Sequence, residues 1–257
     1  MKNFVISLTS ATERRKHINH EFGKHNVNFE FFDALTPETA ENYANSLGLN
    51  LNDTGLTLGE LACMMSHVAL WKKAIDENTP YITIFEDDVY LGEDANHLLN
   101  DSEWIKSDWN IIKIEAFAKK ALLSTTKCEI LSTKRQITQL KGKNLGAAGY
   151  IISVRGARLL LDNILTRKLQ PIDEIIFDIF IKQDIEPVYQ MIPALCVQEM
   201  ILKSRRNELN LPSSLEQDRK KRMKLEKKKG WLKLKRETNR VFLQTKEALF
   251  AKDISFK

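Results

Sequence analysis

Three consecutive carboxylates, Glu86-Asp87-Asp88, follow directly on the apolar run Tyr81-Ile82-Thr83-Ile84-Phe85. Burying unpaired charge costs several kcal/mol, so the triplet must emerge where a buried strand ends. Residues at alternate positions of an extended chain point the same way. Glu86 and Asp88 can therefore share a hard divalent cation, while Asp87 points elsewhere. A cation held there can in turn hold the phosphates of a nucleotide. The plainer alternative is a solvated acidic turn.

The elements that must position the triplet are legible around it. Pro80 bounds Tyr81–Phe85, whose β-rich composition reads as a strand. Upstream, Thr57-Leu58-Gly59-Glu60 matches a capping box. Leu58, Leu61, Met65, Val68 and Ile75 then recur at helical spacing through residue 76. Phe4 to Leu8 reads as a first strand, followed by a polar turn and a basic helix start at Arg14-Arg15. Asn28 to Phe32 reads as a second strand ending at Asp33, and residues 36–56 as loop and short helix. Trp109 to Ile114 is a further strand with Glu115 at its end, and residues 117–143 are a loop or hairpin insertion. Gly146-Ala147-Ala148-Gly149 leads into the strand Tyr150 to Val154, then a helix from Gly156 to Leu165. A stretch from Glu174 to Lys182 reads as helix, and a last strand spans Val188 to Ile192. Strands alternating with helices predict an α/β fold with a mixed sheet, and ligands then bind beyond the C-terminal strand ends.

The 257 residues can bury one sizeable core. Cys63, Cys128 and Cys196 are far apart and form no Cys-x-x-Cys pair, which argues against a disulfide framework and for a reducing cytoplasm. No run has the length of a membrane span or the pattern of a signal peptide. The net charge of +5 conceals an asymmetry. Residues 201–257 carry 18 Lys/Arg against 7 Asp/Glu, a net of +11, and the first 200 carry 21 against 27, a net of −6. The expected organisation is a body over 1–203 and a basic, helical tail over 204–257. Arg219-Lys220-Lys221-Arg222 and Lys227-Lys228-Lys229, with Trp231 beyond Gly230, suit an anionic membrane surface. Nucleic acid is the less expected partner, since the body has no recognised reader motif, and a solvated charge run is the bland alternative.

Four segments in order carry a resemblance: Val5-Ile6-Ser7-Leu8 with Arg14-Arg15; Gly59-Glu60-Leu61-Ala62-Cys63 with Ser66-His67; Phe85 to Val89; and Gly146 to Ser153. Together they resemble the bacterial family 25 glycosyltransferases of lipooligosaccharide outer-core synthesis, over roughly residues 3–200. Ala62 stands where the family pattern has Gly. The resemblance implies a GT-A-like nucleotide-sugar-binding fold. It further implies a UDP-galactose donor, with UDP-glucose second, Mn²⁺ or Mg²⁺, and inverting transfer to a lipid-linked oligosaccharide acceptor. The implied setting is the cytoplasmic face of the inner membrane.

On that reading Asp88 is a metal ligand, and Glu86 the second ligand or a ribose contact. Ile6, Ser7, Arg14, Asp33, Ser66, His67, Asp87 and Gly149 are candidates for the donor site. Inversion by single displacement needs a general base, for which Asp173 and Glu115 are the candidates. Asp173 could instead cap the helix that follows it. Cys63 and His67, four apart on one helix face, could form half of a metal site, although no second pair is visible in the sequence. A nucleotidyltransferase uses similar metal–nucleotide chemistry, and a non-enzymatic adaptor built around the basic tail is the alternative from another class.

Overall fold

The computed structural model describes residues 1–52, 54–205 and 250–257. The strands are β1 (Lys2–Ser7), β2 (Glu30–Asp33), β3 (Tyr81–Glu86), β4 (Val89–Leu91), β5 (Ile111–Lys113), β6 (Lys120–Glu129), β7 (Gln136–Leu140), β8 (Gly149–Ser153), β9 (Val188–Ile192), β10 (Cys196–Gln198) and β11 (Ala251–Asp253). The helices are α1 (Thr12–Lys24), α2 (Pro37–Ser46), α3 (Leu58–Asp76), α4 (Ala95–Asn100), α5 (Val154–Leu165), α6 (Ile172–Glu174), α7 (Phe180–Gln183) and α8 (Glu199–Arg205), with a π-helical turn, Ile175–Ile179, between α6 and α7.

Among the described residues nine strands form one mixed sheet in the order β11-β6-β7-β9-β5-β8-β3-β1-β2, and β4 pairs with β10 separately. Strands β2, β1 and β3 run parallel, and β8 runs antiparallel between β3 and β5. The C-terminal ends of β1, β2, β3 and β5 therefore lie on one edge with the N-terminal end of β8. Pairings Ser7↔Asp33, Ile6↔Glu86, Phe85↔Gly149 and Lys113↔Tyr150 set the register there.

Alternation along the strands builds the two cores. Phe4, Ile6, Ile82 and Ile84 face one side, packed with Met64, Trp71 and Phe177; Val5 and Phe85 face the other, packed with Ile18, Phe22 and Leu98. Helix α3 is the central support of the first side. Its start is fixed as its sequence requires: Thr57 Oγ1 accepts from Glu60 N at 3.2 Å while Glu60 Oε2 accepts from Thr57 N at 3.0 Å. The stretch at 117–143 folds as the hairpin β6–β7, whose strands extend the main sheet.

The end of the chain departs from expectation. Most of the anticipated basic tail, 206–249, lies outside the described residues. Its last residues belong to the body: β11 adds to the sheet edge beside β6, in the register Ala251↔Leu122. Ile254 is buried, and Arg135 clasps the terminus by donating from Nη2 to Lys257 O at 2.5 Å and from Nη1 to Ala194 O at 3.0 Å. An apolar Ile and a ring of carbonyls around one guanidinium hold this segment in place, so a tail running unbroken from 204 to 257 is corrected at its far end.

Candidate active site

Glu86 is the last residue of β3, and Asp87-Asp88 form the turn into β4. Strand β10 pairs with β4 through Gln198↔Val89 and thereby brings Gln198 over the turn. Its Nε2 donates to Glu86 Oε2 at 3.4 Å and to Asp88 Oδ1 at 3.5 Å. Two carboxylates 110 and 112 positions from that amide thus face a common point. Burial raises both above the ordinary carboxylate range, to about 7; the charges of Asp87 and Asp173 add to the shift of Glu86, and that of Glu86 adds to the shift of Asp88. Among the described residues no Lys or Arg lies within ion-pair distance of either.

Asp87 is turned away and fully used. Its Oδ2 accepts from Ser7 Oγ at 2.7 Å and its Oδ1 from Arg14 Nη1 at 2.6 Å. The triplet's middle residue therefore locks β3 to β1 and α1. Arg15 makes the other link: it donates to Asp33 Oδ1 and Ser7 O and stacks on Phe31. Ile6 is buried beside Glu86.

On α3, His67 is completely buried. Its Nδ1 meets Tyr150 Oη at 3.0 Å, and the same hydroxyl accepts from Trp71 Nε1 at 2.9 Å. Desolvation lowers the imidazole to about 4, so it is neutral at physiological pH. Its Nε2 has no hydrogen-bond partner and lies 3.8 Å from Glu86 Oε1. His67 thus lies inside the protein, behind Glu86.

Three of the candidate residues are placed in packing contacts instead of at an open surface. Ser66 is wholly buried; its hydroxyl donates to Ala62 O and accepts from Leu35 N, so it ties α3 to the loop after β2 and does not face a donor. Gly149 is a packing position, because a Cβ there would come within 2.2 Å of Cys196 Sγ. Glu115 is also wholly buried. Its Oε2 accepts from Lys113 Nζ at 2.8 Å and from Ala148 N at 3.2 Å, and Lys113, itself buried, also donates to Gly146 O. Glu115 is thus enclosed in an ion pair with no exposed surface.

Asp173 sits beside this layer on α6. Its Oδ2 accepts from Gly146 N at 3.3 Å, and its charge is felt by both Glu86 and His67. Pro171, rather than Asp173, occupies the N-cap position, although Asp173 Oδ1 does accept from Glu174 N. Gly146 takes φ +90°, a conformation open to glycine, and a Cβ there would strike Glu115 Oε2 at 2.7 Å.

Residues 1–176 match the family model described as glycosyltransferase family 25, LPS biosynthesis protein. The chain belongs to glycosyltransferase family 25. Its relatives agree. It is 40% identical to the lipooligosaccharide biosynthesis protein lic2B of Haemophilus influenzae, over 88% of this chain and 86% of that one. It is 36% identical to lex-1 of the H. influenzae Rd strain, over 89% and 86%. It is 40% identical to the lacto-N-neotetraose biosynthesis glycosyltransferase LgtB of Neisseria meningitidis serogroup B, over 78% and 76%. Among solved structures it is similar to a glycosyltransferase involved in glycosylation of the PBCV-1 major capsid, with TM-score 0.42 and 7% identity over 77% of this chain and 93% of that one, a likeness too distant to carry an argument.

As a family 25 glycosyltransferase, the chain has a site whose charges sort themselves. Arg14 answers Asp87, and Lys113 answers Glu115. Glu86 and Asp88 face each other without a cationic side chain. Sequence reasoning missed Gln198, Tyr150, Trp71 and Lys113. Only Lys113 carries a signal, as the lone charge inside the apolar run Trp109–Ile114. Gln198 has none, because the pairing of β4 with β10 brings it to the triplet.

Proposed function

We propose that this enzyme transfers a hexose, galactose from UDP-galactose before glucose from UDP-glucose, to a lipooligosaccharide acceptor with inversion at the anomeric carbon. The observation that carries the reading is the uncompensated Glu86–Asp88 pair at the C-terminal edge of a mixed sheet, where α/β proteins bind ligands. Two carboxylates forced together and desolvated favour a divalent cation, which lets both ionise. Oxygen ligands of this kind suit Mn²⁺ or Mg²⁺. Such an ion, when bound, neutralises the charge that builds on the departing diphosphate. The residues' own tasks are separable. Asp87 and Ser7 fix the turn, Gln198 spans the two carboxylates, and His67 backs Glu86. Asp173 is the proposed general base, because Glu115 is enclosed and Asp173 adjoins Glu86. Arg14, half-exposed and tied to Asp87, has its charge felt by both Glu86 and Asp88 and suits a donor phosphate. The lipooligosaccharide and lacto-N-neotetraose relatives support an oligosaccharide acceptor. Incubation with a panel of UDP-sugars and Mn²⁺ should release UDP from one hexose donor. Release of pyrophosphate, or no turnover with any donor, would overturn the reading.

The same proposal places the enzyme on the cytoplasmic face of the membrane, held there by the basic stretch at 219–229. Among the described residues no helix is long and apolar enough to cross a membrane. Truncation near 210 is a poor test, since it also removes β11 from the sheet. Lys227, Lys228 and Lys229 together replaced by Gln keep β11. At about 1 kcal/mol per cation, binding to anionic vesicles should weaken by about two orders of magnitude at low salt. Unchanged vesicle binding would exclude this stretch as the anchor.

A further inference from the structure

Glu86 has two oxygens, and the structure gives them different neighbours. Oε2 faces outward to Gln198 and Asp88, whereas Oε1 faces inward to His67. Behind it on α3 stands Cys63, one turn before His67 and on the same helix face. The Cys63 thiol, the His67 imidazole and the Glu86 carboxylate offer ligand atoms that all lie within 4.8 Å of one another. We propose that these three residues form an inner site for a borderline-soft divalent cation of the zinc class, which shares Glu86 with the outer pair but replaces Asp88 by a thiol and an imidazole.

Two further features favour a ligand there over a packed histidine. His67 Nε2 is buried and lacks a hydrogen-bond partner, an arrangement that costs free energy unless something fills it. The other ring nitrogen is held by Tyr150 Oη, itself fixed by Trp71, and the rings of His67 and Tyr150 stack 5.7 Å apart. Metal-ligating histidines are oriented this way, with Nδ1–H donated to an oxygen so that the Nε2 lone pair is aimed at the metal. Sulfur and nitrogen ligands select Zn²⁺ over Mg²⁺ and Mn²⁺, which prefer oxygen. Around tetrahedral zinc, ligand atoms stand about 3.3–3.8 Å apart. The 3.8 Å between His67 and Glu86 is a few tenths of an ångström longer than an imidazole and a carboxylate on one such ion, so binding draws the three ligands slightly together.

The site shares Glu86 with the proposed donor site, but its test does not require transferase activity. The reduced, metal-stripped full-length protein is titrated with Co²⁺, which reports thiolate ligation by charge transfer in the near ultraviolet. The band should saturate at about one equivalent and be bleached by Zn²⁺. Cys63→Ser and Cys63→Ala should abolish it, while Cys128→Ser and Asp88→Asn should keep it. Tyr150→Phe, a positioning change, should weaken Co²⁺ binding about 10–100-fold. Zn²⁺ should raise the melting temperature of the wild type clearly more than that of Cys63→Ser, whose metal-free melt checks that it folds. No charge-transfer band in the wild type, or a band that survives loss of Cys63, would overturn the site. A band lost in Asp88→Asn would do so too, by assigning the ion to the outer pair.

Discussion

The strands on either side of β8 both end in carboxylates, and their surroundings are opposite. Beyond β5, Glu115 is sealed with Lys113 in the interior, cation against anion at 2.8 Å, and Phe177 lies over the ammonium. Beyond β3, Glu86 and Asp88 meet with only an amide between them. The first pair is wholly buried and the second partly so, but the first carries its own counter-charge and the second needs one brought to it. Burial alone therefore does not mark a functional carboxylate. What separates the two is the missing cation, and the strongest test of the difference is to remove one member from each pair.

The largest effect falls on the uncompensated pair. Asp88→Ala should abolish transfer and Mn²⁺-dependent UDP binding together, as followed by UDP release and by titration calorimetry. Wild-type turnover in excess Mn²⁺ would show that Asp88 holds nothing. Asp87→Ala should act differently, by freeing Ser7 and Arg14 and disturbing donor orientation or the fold. Next comes the proposed base. Asp173→Asn should lower kcat by about 10²–10⁴ while sparing donor affinity. A loss confined to donor affinity would remove Asp173 from proton transfer.

The compensated pair should respond in stability. Breaking a buried ion pair by removing one partner costs about 3–5 kcal/mol, because the survivor's charge is left alone. Glu115→Gln should lose that much in denaturant unfolding, and Lys113→Met combined with Glu115→Leu should recover most of it. Burial already pushes the Glu115 carboxyl above its ordinary value even beside Lys113, as an enclosed pair requires. A Glu115→Gln protein of full stability but no turnover would reverse the roles assigned to the two strand ends.

That contrast also shows where the sequence could be read and where it could not. Local signals were sufficient for the strand at 81–86, the capped helix to residue 76 and the strand at 188–192, each fixed by its own periodicity or cap. They were sufficient too for placing Glu86 and Asp88 at the end of the 81–86 strand, since three charges after an apolar run have few places to go. Glu115 looks equally good by that rule, yet it is sealed in the interior. Its partner Lys113 is two residues earlier, but the enclosure comes from Ala148 and Gly146, more than 30 positions away. Ser66 misled in the same way, because its hydroxyl is consumed by Leu35 N in a loop that periodicity cannot place. The return of β11 to the sheet was hidden by composition. Ala251-Lys252-Asp253 has no strand pattern of its own and is a strand through pairing with β6.

The smallest expected effect is a gain. Glu86 and Asp88 are raised from 4.5 and 3.8 to about 7 in the folded protein. An acid whose pKa is higher when folded adds stability that is complete below its unfolded pKa and is lost as pH rises through the folded one. The metal-free wild type should therefore lose stability between about pH 4 and pH 7, as both carboxylates are driven to ionise side by side. Asp88→Asn cannot ionise, and it also relieves Glu86 of its neighbour's repulsion. In chelator at pH 8 it should melt about 2–4 °C above the wild type, and at pH 5 the gap should close. Excess Mn²⁺ should reverse the order at pH 8, since the wild type gains a counter-charge that the variant cannot bind. Turnover should follow the same titration, rising as pH passes through about 7, because a divalent cation competes with the protons on this pair. A melting gap of equal size at pH 5 and pH 8 would mean that the pair is not repulsive, and the distinction between the two strand ends would fall with it.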